Sequence, residues 1–289
     1  MAKRTRFEDY KHSYENFEFE LSDDGILLMR QHTNHDSLVW NAVSHDRMSD
    51  AFADVAGDYD IRAVILTGAG ANFNADWGFL AVGADKDASA PAPGWAPTVE
   101  FFDSLAWFGK NLVMNVLDVD VPMIAAINGP CNMHSEIPLM CDIVLASEDT
   151  YFDDGPHFPR GVVPGDGQHI IWQEVIGPTR ARYFLLTDQT LTAQQALEWG
   201  AVNEVLPKDK VLDRAWELAR EIVKRPPMTL RYTRRLFTQN LKRACLNELN
   251  HGIWSELYAQ RQFYPVGGGM GPLQRSWDDP DPFAPEPGK

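Results

Sequence analysis

The chain has 289 residues, of which 44% are hydrophobic, and its formal net charge is −15 at pH 7. This length and composition predict one sizeable α/β domain with an appendage, or two small domains, and exclude a disordered chain. Nucleic acid and anionic membrane surfaces are disfavoured as partners, because 41 acidic residues against 26 basic ones give a field that repels phosphate groups.

The first half of the chain alternates short apolar strands with helices. Two runs of alternating character flank the turn signal SDDG and predict a β-hairpin. Uninterrupted apolar runs that follow are typical of strands buried on both faces of a parallel sheet, which predicts the α/β class. The predicted elements are, in order, the hairpin strands Phe17 to Leu21 and Ile26 to Gln31, a helix capped by Ser44 or Asp46, a strand over 63–67, a helix over 99–117, and strands over 123–127 and 143–146.

The second half is predominantly helical. Two helices are expected on either side of Gly177, and a short helix is expected between an N-cap at Thr192 and a C-cap at Gly200. The strand-like run AVNEVLP comes next, and from Lys208 the pattern is purely helical. We divide the chain into a core over residues 14–206, a separate helical section over 207–265 and a Gly- and Pro-rich tail over 266–289. The helical section is expected to mediate oligomerisation, because it has more apolar positions than a short appendage could bury alone.

The apolar segments and the cysteines also predict where the protein resides. The N-terminal stretch MAKRTRFEDYKHSYENF lacks the apolar core of a signal peptide, and later apolar windows are too short for a transmembrane helix. Cys131, Cys141 and Cys245 are an odd set without a C-x-x-C pair or zinc-like spacing. We therefore expect a cytoplasmic protein that binds no membrane and keeps its thiols reduced.

Three loops could hold an anion with backbone N–H groups. TGAGANFNAD and INGPCNMHSE each follow a predicted strand, and PGDGQH opens a helix. Such turns can form an oxyanion hole, although glycines in turns are also simply structural. None of the loops matches a dinucleotide-binding or P-loop motif.

Four segments follow one another in an order that is typical of one superfamily. They are LTGAGANFNADWGF, VPMIAAINGPCNMHSEIPLMCDIVLAS, GVVPGDGQHIIWQEVIGPTRARYFLLT and ALEWGAVNEVLP. Together they resemble the crotonase superfamily, the enoyl-CoA hydratases and isomerases, over about residues 16–206. The resemblance implies a crotonase-type spiral of ββα repeats with a C-terminal helical trimerisation section, as a homotrimer or a dimer of trimers. It also implies two backbone N–H groups that stabilise an oxyanion, one near Asn74 and Ala75, the other near Met133 and His134.

The chain departs from the hydratase pattern at two places. The hydratases have three glycines where this chain has Asn132, Met133 and His134, so that side chains stand where a thioester would need bare backbone. They have a Pro-Glu pair with a catalytic carboxylate where this chain has a proline followed by His157. Glu136 keeps the position of the other catalytic carboxylate, and we interpret it as structural or supporting.

Within the superfamily, these departures fit one group of enzymes. The segments SLVW, NMHSEIP, DGPHFPRGVVPGDGQH and RYFLLT are similar to the β-diketone hydrolases of the 6-oxocamphor hydrolase group. The resemblance implies hydrolysis of a C–C bond between two carbonyls, a retro-Claisen reaction that gives a keto acid without CoA or a metal. It implies that His157 and Asp166 form a dyad that activates water, and that Trp40, His134 and Glu256 bind a small cyclic or bicyclic diketone.

The residue types suit this chemistry. A neutral imidazole can accept a proton from water near pH 7, and a carboxylate on its other ring nitrogen fixes the tautomer. The indole N–H of Trp40 can donate to a ketone without titrating. A neutral Glu256 or a protonated His134 could donate to the same carbonyl and return a proton to the enolate carbon.

Each candidate also has a purely structural interpretation. Taken alone, Asp166 and His134 could cap the helices that they precede, His157 could be a buried loop residue, Trp40 a core residue and Glu256 a solvated helical residue. The motifs considered together favour the functional interpretation. The remaining histidines show no metal-ligand spacing, and we expect neither a metal nor a cofactor; they are His12, His32, His35, His45, His169 and His251.

Two other functions stay open at this point. The chain could be a CoA-thioester hydratase or isomerase that uses His157 or Asp166 as its acid or base. It could also be a non-catalytic crotonase scaffold that binds RNA or a protein, although the acidic charge argues against RNA.

Overall fold

The computed structural model describes residues 4–77 and 98–260, and it contains ten strands and nine α-helices within those ranges. The strands are β1 Phe17–Leu21, β2 Ile26–Gln31, β3 Val39–Trp40, β4 Ala63–Gly68, β5 Asp76–Trp77, β6 Met123–Ile127, β7 Ile143–Ser147, β8 Tyr151–Phe152, β9 Leu191–Thr192 and β10 Glu204–Leu206. The helices are α1 Phe7–Tyr10, α2 Ala42–Gly57, α3 Val99–Asp118, α4 Glu136–Leu139, α5 Gln168–Ile176, α6 Pro178–Leu186, α7 Ala193–Trp199, α8 Lys208–Ile222 and α9 Pro227–Gln260. None of these helices is long and apolar enough to cross a bilayer.

A six-stranded mixed sheet organises the fold. Its strand order is β1-β2-β4-β6-β7-β10, with the antiparallel hairpin at one edge and parallel pairing from β2 onward. All residues of β4 and β6 are buried, because their apolar runs face packed layers on both sides of the sheet. The α/β class predicted from the sequence is confirmed. Two short pairs, β3 with β5 and β8 with β9, lie outside this sheet.

The C-terminal helices complete the core of the same domain. Val211, Ala215 and Ala219 of α8 pack against buried residues of β2, β4 and β6 on one face of the sheet. On the other face, Leu249 and Ile253 of α9 belong to the main core together with residues of α2, α3 and α5. Residues 208–260 are almost entirely helical, as expected, and α8 and α9 also pack onto the sheet; the division of the chain at residue 207 stays a prediction. The tail over 266–289 lies outside the described residues.

Most predicted element boundaries agree with the structure, and the helix caps show where they differ. Asn41 caps α2 through hydrogen bonds from the Val43 and Ser44 backbone N–H groups, so neither Ser44 nor Asp46 is the N-cap. Ser44 instead completes a capping box by accepting from the Asn41 N–H. The predicted cap at Thr192 is confirmed. The two-residue strands were missed because such short segments have no measurable periodicity.

Two glycines allow α9 to lie directly against the loop that precedes α5. A Cβ added to Gly165 would overlap the carbonyl oxygen of Gly252, and one added to Gly252 would overlap the carbonyl oxygen of Gly165 and the ring of His169. Backbone therefore packs on backbone at this point. Glu256 follows Gly252 by one helical turn, so the close contact determines how near Glu256 comes to that loop.

We expect Gly252→Ala to destabilise the fold by about 1–3 kcal/mol, because the added methyl group has no space and the backbones must separate. The measurement is thermal unfolding of the variant against the wild-type chain. Gly109→Ala in α3 is the matched control: its Cβ would meet Ile253 Cδ1 at 3.5 Å, an ordinary contact, and alanine is the better helix former. Equal unfolding temperatures for Gly252→Ala and the wild type would contradict the close packing of α9.

Candidate active site

A tight turn joins His157 to an acidic partner. Asp154 and His157 stand at the two ends of this turn, where the His157 N–H donates to the Asp154 carbonyl at 3.2 Å. Their side chains also meet, and His157 Nδ1 donates to Asp154 Oδ1 at 2.6 Å. Both residues are buried: His157 is 6% exposed and Asp154 is 4% exposed. The ring is thereby fixed in orientation, and its second nitrogen, Nε2, points away from the turn.

Asp166 lies between two imidazole rings. Its Oδ2 atom is 3.4 Å from Nε2 of His157 and 3.4 Å from Nδ1 of His134, and its Oδ1 atom has no hydrogen-bond partner in the described part of the chain. Its side chain does not cap α5, whose N-cap is Gly167. The structural interpretation of Asp166 as a helix cap is therefore wrong. The predicted pair of His157 and Asp166 comes together, although at a distance longer than a strong hydrogen bond.

His134 has an unusual backbone conformation. Its φ of 47° lies in the left-handed region, which non-glycine residues adopt rarely and at a cost of about 1–3 kcal/mol. This conformation places Nδ1 2.7 Å from Glu136 Oε1 and the ring centroid 4.1 Å from that of Trp40. His134 does not cap α4, whose N-cap is Ser135. The strained backbone and the paired ring support a functional role over a structural one.

Trp40 carries a buried donor. The residue is fully buried, and its indole Nε1 has no acceptor among the described residues. His45, on the first turn of α2, packs edge-on against Trp40 at 5.4 Å and lies 5.1 Å from the His134 ring. Because buried N–H groups are nearly always satisfied, the Trp40 indole is suited to donate to a carbonyl of a ligand.

Glu256 reaches the same place from α9. Its Oε1 lies 3.9 Å from His157 Nε2, and its side chain is 13% exposed. The interpretation of Glu256 as a solvated residue on the helix surface is therefore wrong. Burial, with the negative charge of Asp166 nearby, raises the pKa of Glu256 to about 8. The carboxyl group is thus protonated at neutral pH and can act as a hydrogen-bond or proton donor.

Neighbouring carboxyl groups raise the pKa of both imidazoles and so favour their charged forms. Burial alone would lower the pKa of His157, but the negative charges of Asp154 and Asp166 outweigh it and raise the pKa well above its ordinary value. At His134 burial is likewise outweighed, mainly by Glu136, and the pKa is raised. Burial would raise the pKa of Asp166, yet the adjacent His157 lowers it below its ordinary value.

These groups form what we term the acid–base cluster. It comprises His134, Glu136, Asp154, His157, Asp166 and Glu256. Ligand atoms of two triads within it lie within 4.8 Å of one another, a spacing that a metal ion could also use. Metal ligation requires neutral imidazoles, whereas both rings favour the imidazolium form, so the arrangement is better suited to moving protons.

The backbone anion hole differs from the expected one. The Met133 N–H donates to the Asn74 carbonyl at 2.9 Å, as does the Asn132 N–H at 3.0 Å. The structure therefore contradicts the assignment of Met133 as an anion-hole donor, because its N–H is already paired between the two loops. Ala75 lies between the Asn74 bridge to Cys131 and β5. Its role as a donor stays a prediction.

The structure thus brings together Trp40, His134, His157, Asp166 and Glu256, all of which the sequence motifs predicted. Sequence reasoning missed Asp154 and His45. Asp154 stands three residues before His157 across a Gly-Pro turn, and this spacing was the signal that could have revealed it. His45 offers no such signal, because its position depends on the packing of α2.

Comparison with known proteins identifies the family. A model of the enoyl-CoA hydratase/isomerase family matches residues 25–261. The chain belongs to this family, within the crotonase superfamily. A carnitinyl-CoA dehydratase from Salmonella enteritidis PT4 is 30% identical over 185 residues, which cover 63% of this chain and 66% of the relative. The match thus spans slightly less than two thirds of that dehydratase.

Solved structures of crotonase-family members share the fold. A β-diketone hydrolase from the cyanobacterium Anabaena sp. PCC 7120, bound to (S)-3-oxocyclohexyl acetic acid, is 42% identical with a TM-score of 0.78, over 87% of this chain and 96% of that one. An enoyl-CoA hydratase/isomerase from Mycobacterium paratuberculosis is 23% identical with a TM-score of 0.69, over 85% and 93% of the two chains. The second likeness concerns the fold alone, and together they confirm the predicted crotonase fold.

The electrostatics of the site predict that its histidines titrate very differently. Burial and the nearby His134 lower the pKa of His45 to about 3, whereas the pKa of His157 is raised, so His45 should stay neutral and His157 charged around the ordinary histidine pKa of about 6.5. Long-range ¹H–¹⁵N NMR of the imidazoles against pH measures both, with signals assigned from His45→Gln and His157→Gln. Exposed His12 lies outside this group of rings and provides the internal reference signal. Co-titration of His45 and His157 would contradict this assignment.

Proposed function

We propose that the protein is a cofactor-independent hydrolase that cleaves the C–C bond between the two carbonyls of a cyclic or bicyclic β-diketone. The observation that carries the proposal is the acid–base cluster beside the unpaired indole N–H of Trp40. The cluster supplies a base, a charged donor and a neutral acid within one small volume. These are the three functions that hydrolysis of a diketone requires.

Water activation is assigned to His157 and Asp166. When His157 is neutral with its proton on Nδ1, Nε2 can take a proton from water while the water oxygen bonds to one carbonyl carbon. Asp166, 3.4 Å from that nitrogen, stabilises the imidazolium that forms and can accept a hydrogen bond from the second O–H of the water. Because only the neutral ring is a base, the rate should rise with pH through the raised pKa of His157.

The bond between the carbonyls then breaks. Collapse of the tetrahedral adduct forms a carboxylic acid, and the electron pair of the C–C bond passes to the second carbonyl as an enolate. Trp40 Nε1 and the His134 imidazolium are suited to donate hydrogen bonds to the enolate oxygen. Side-chain donors of this kind can stabilise an oxyanion as backbone N–H groups do. Glu256 or His134 returns a proton to the carbon, and the product is a keto acid.

The proposed substrate class is supported by the chemistry of the cluster and by the similarity to the 42% identical β-diketone hydrolase. That structure holds a cyclohexanone that bears an acetic acid side chain. In that molecule, the carboxyl carbon of the side chain can be joined to the ring carbon that lies next to the ketone and farther from the side chain. The result is a bicyclic dione in which both carbonyl groups are attached to the same bridgehead carbon. We propose this bicyclooctanedione as the first test substrate, within a panel of monocyclic and bicyclic diketones and with the chirality of each acid product recorded.

His157→Ala and Asp166→Asn should each lower kcat/KM for diketone cleavage by about 10²- to 10⁴-fold, because each removes part of the water-activating base. Product formation is followed by chromatography, and circular dichroism establishes that the variants are folded. His12→Ala, at an exposed position outside the cluster, is the matched control. Wild-type kcat/KM in either cluster variant would show that the dyad mechanism is wrong.

The same preparation discriminates the other two functions. Tight binding of CoA in calorimetry, with hydration of an enoyl-CoA, would favour a thioester hydratase or isomerase, whereas diketone cleavage without CoA binding favours the hydrolase. A chain inactive on both substrate classes would favour a non-catalytic scaffold.

We also propose that the protein assembles as a homotrimer or a dimer of trimers through its C-terminal helices. Large apolar side chains that stay exposed in one chain support this proposal. On α9 they include Tyr232, Leu236, Phe237, Leu246, Trp254 and Tyr258, of which Leu236, Phe237 and Tyr258 are more than 70% exposed. On α6 they are Tyr183 and Leu186.

Light scattering coupled to size exclusion should give about three or six times the protomer mass of 32.6 kDa. A Leu236→Asp, Phe237→Asp double variant should shift the mass toward that of one chain, because charge would replace apolar contact area. Gln239→Glu adds a negative charge on the same helix and is the control. A wild-type chain that elutes as a monomer would refute the assembly.

A further inference from the structure

His157 makes its strongest polar contact with a residue that the dyad does not include. Its Nδ1 lies 2.6 Å from Asp154 Oδ1, within the range of a short charge-assisted hydrogen bond. On the other side of the ring, Nε2 is 3.4 Å from Asp166 and 3.9 Å from Glu256. These distances exceed those of good hydrogen bonds, so neither residue fixes the ring as closely as Asp154 does.

The backbone makes this contact a rigid one. Asp154 and His157 are three residues apart and are joined across the turn by a backbone hydrogen bond. The His157 carbonyl accepts from the Arg160 N–H at 2.8 Å and from the Val162 N–H at 3.0 Å, which anchors the far side of the turn. Only small movements of the Asp154 carboxylate relative to the ring are therefore available.

Building on the hydrolysis proposed above, we propose that Asp154 is the positioning residue of His157: it holds the proton on Nδ1 and leaves Nε2 as the basic atom that faces Asp166 and Glu256. This assigns different tasks to the two aspartates. Asp154 orients the ring and supports its charge, whereas Asp166 acts on the water side, where its second oxygen has no partner in the described ranges. The orienting role that the sequence suggested for Asp166 belongs to Asp154.

The groups that face His157 come from four places in the fold. They are Asp154 on the turn, Asp166 on the loop before α5, Glu256 on α9 and the positively charged His134 before α4. Removal of the Asp154 charge leaves His134 and the other two carboxyl groups unchanged. The pKa of His157 should then fall, since one of the two negative charges that raise it is lost.

A spectroscopic experiment tests the positioning role without any substrate. Long-range ¹H–¹⁵N NMR of the imidazoles is compared among the wild type, Asp154→Asn and Asp154→Ala. We expect a wild-type Nδ1 that stays protonated as pH rises, a lower His157 pKa in both variants, and a mixture of tautomers in Asp154→Ala. An unchanged pKa and tautomer of His157 in Asp154→Ala would overturn the proposal, whatever reaction the protein catalyses.

Kinetics give the second test. Asp154→Asn should lower kcat for diketone cleavage by about 10²-fold or more with a small change in KM, and the rising limb of the pH profile should move to lower pH. A merely structural loss would lower the rate without moving this limb. Wild-type kcat and an unmoved limb would overturn the proposal. If wild type fails to cleave diketones, the hydrolase proposal fails, while the NMR result still decides the positioning role.

Asp153→Asn is the matched control for both tests. Asp153 is the neighbouring carboxylate, and its Oδ1 accepts from the Gly155 N–H of the same turn at 3.2 Å. Asparagine can keep that hydrogen bond, so the turn should persist while one negative charge is removed. We expect wild-type kcat and an unshifted His157 tautomer in this variant. Equal losses in Asp153→Asn and Asp154→Asn would show that any charge on the turn suffices, which would overturn the specific role of Asp154.

Discussion

Two imidazolium rings allow four carboxyl groups to be largely buried side by side in this protein. A carboxylate taken out of water without a partner would cost several kcal/mol, so the cluster can persist only if charges are paired or protons are retained. Both solutions are present. His157 pairs with Asp154 and Asp166, while burial raises the pKa of Glu256 so that it keeps its proton at neutral pH. Ion pairing and retained protons are therefore needed to bury these carboxyl groups, whatever reaction the site catalyses.

The local geometry of the chain follows from this arrangement. The cluster needs loops that follow different strands, and a helix near the C-terminus, to bring their side chains close together: Glu256 Oε1 lies 3.9 Å from His157 Nε2. Contact between Gly165 and Gly252 brings α9 close enough for Glu256, and the left-handed backbone of His134 turns its ring toward Glu136 and Asp166. The left-handed backbone of His134 carries a conformational cost, and its ring pairs with carboxyl groups from other elements, so distant parts of the fold meet in one electrostatic site.

The sequence predicted the fold well where patterns are long. The hairpin strands and β6 lie at the predicted residues, because alternating or uninterrupted apolar runs specify burial directly. Two-residue strands such as β3 carry no such pattern, and the packing of α8 and α9 onto the domain depends on tertiary contacts. The site was predicted from the order of its motifs. The order of motifs does not predict distances between atoms. Asp166 was therefore expected to orient His157 although Asp154 lies closer to it, and the Met133 N–H was expected to be free.

The paired Met133 N–H shows how this chain uses a shared fold in its own way. A crotonase-type hole needs a backbone donor that points at the ligand, yet here that donor is bonded to Asn74 across the two loops. The buried indole of Trp40 beside the His134 ring offers side-chain donors for an oxyanion, in addition to the backbone donor predicted at Ala75. Side-chain donors can be placed deeper than a backbone edge and surround a compact neutral ligand. Under the proposed function, a site with four carboxyl groups suits a small uncharged diketone better than a thioester that carries phosphates.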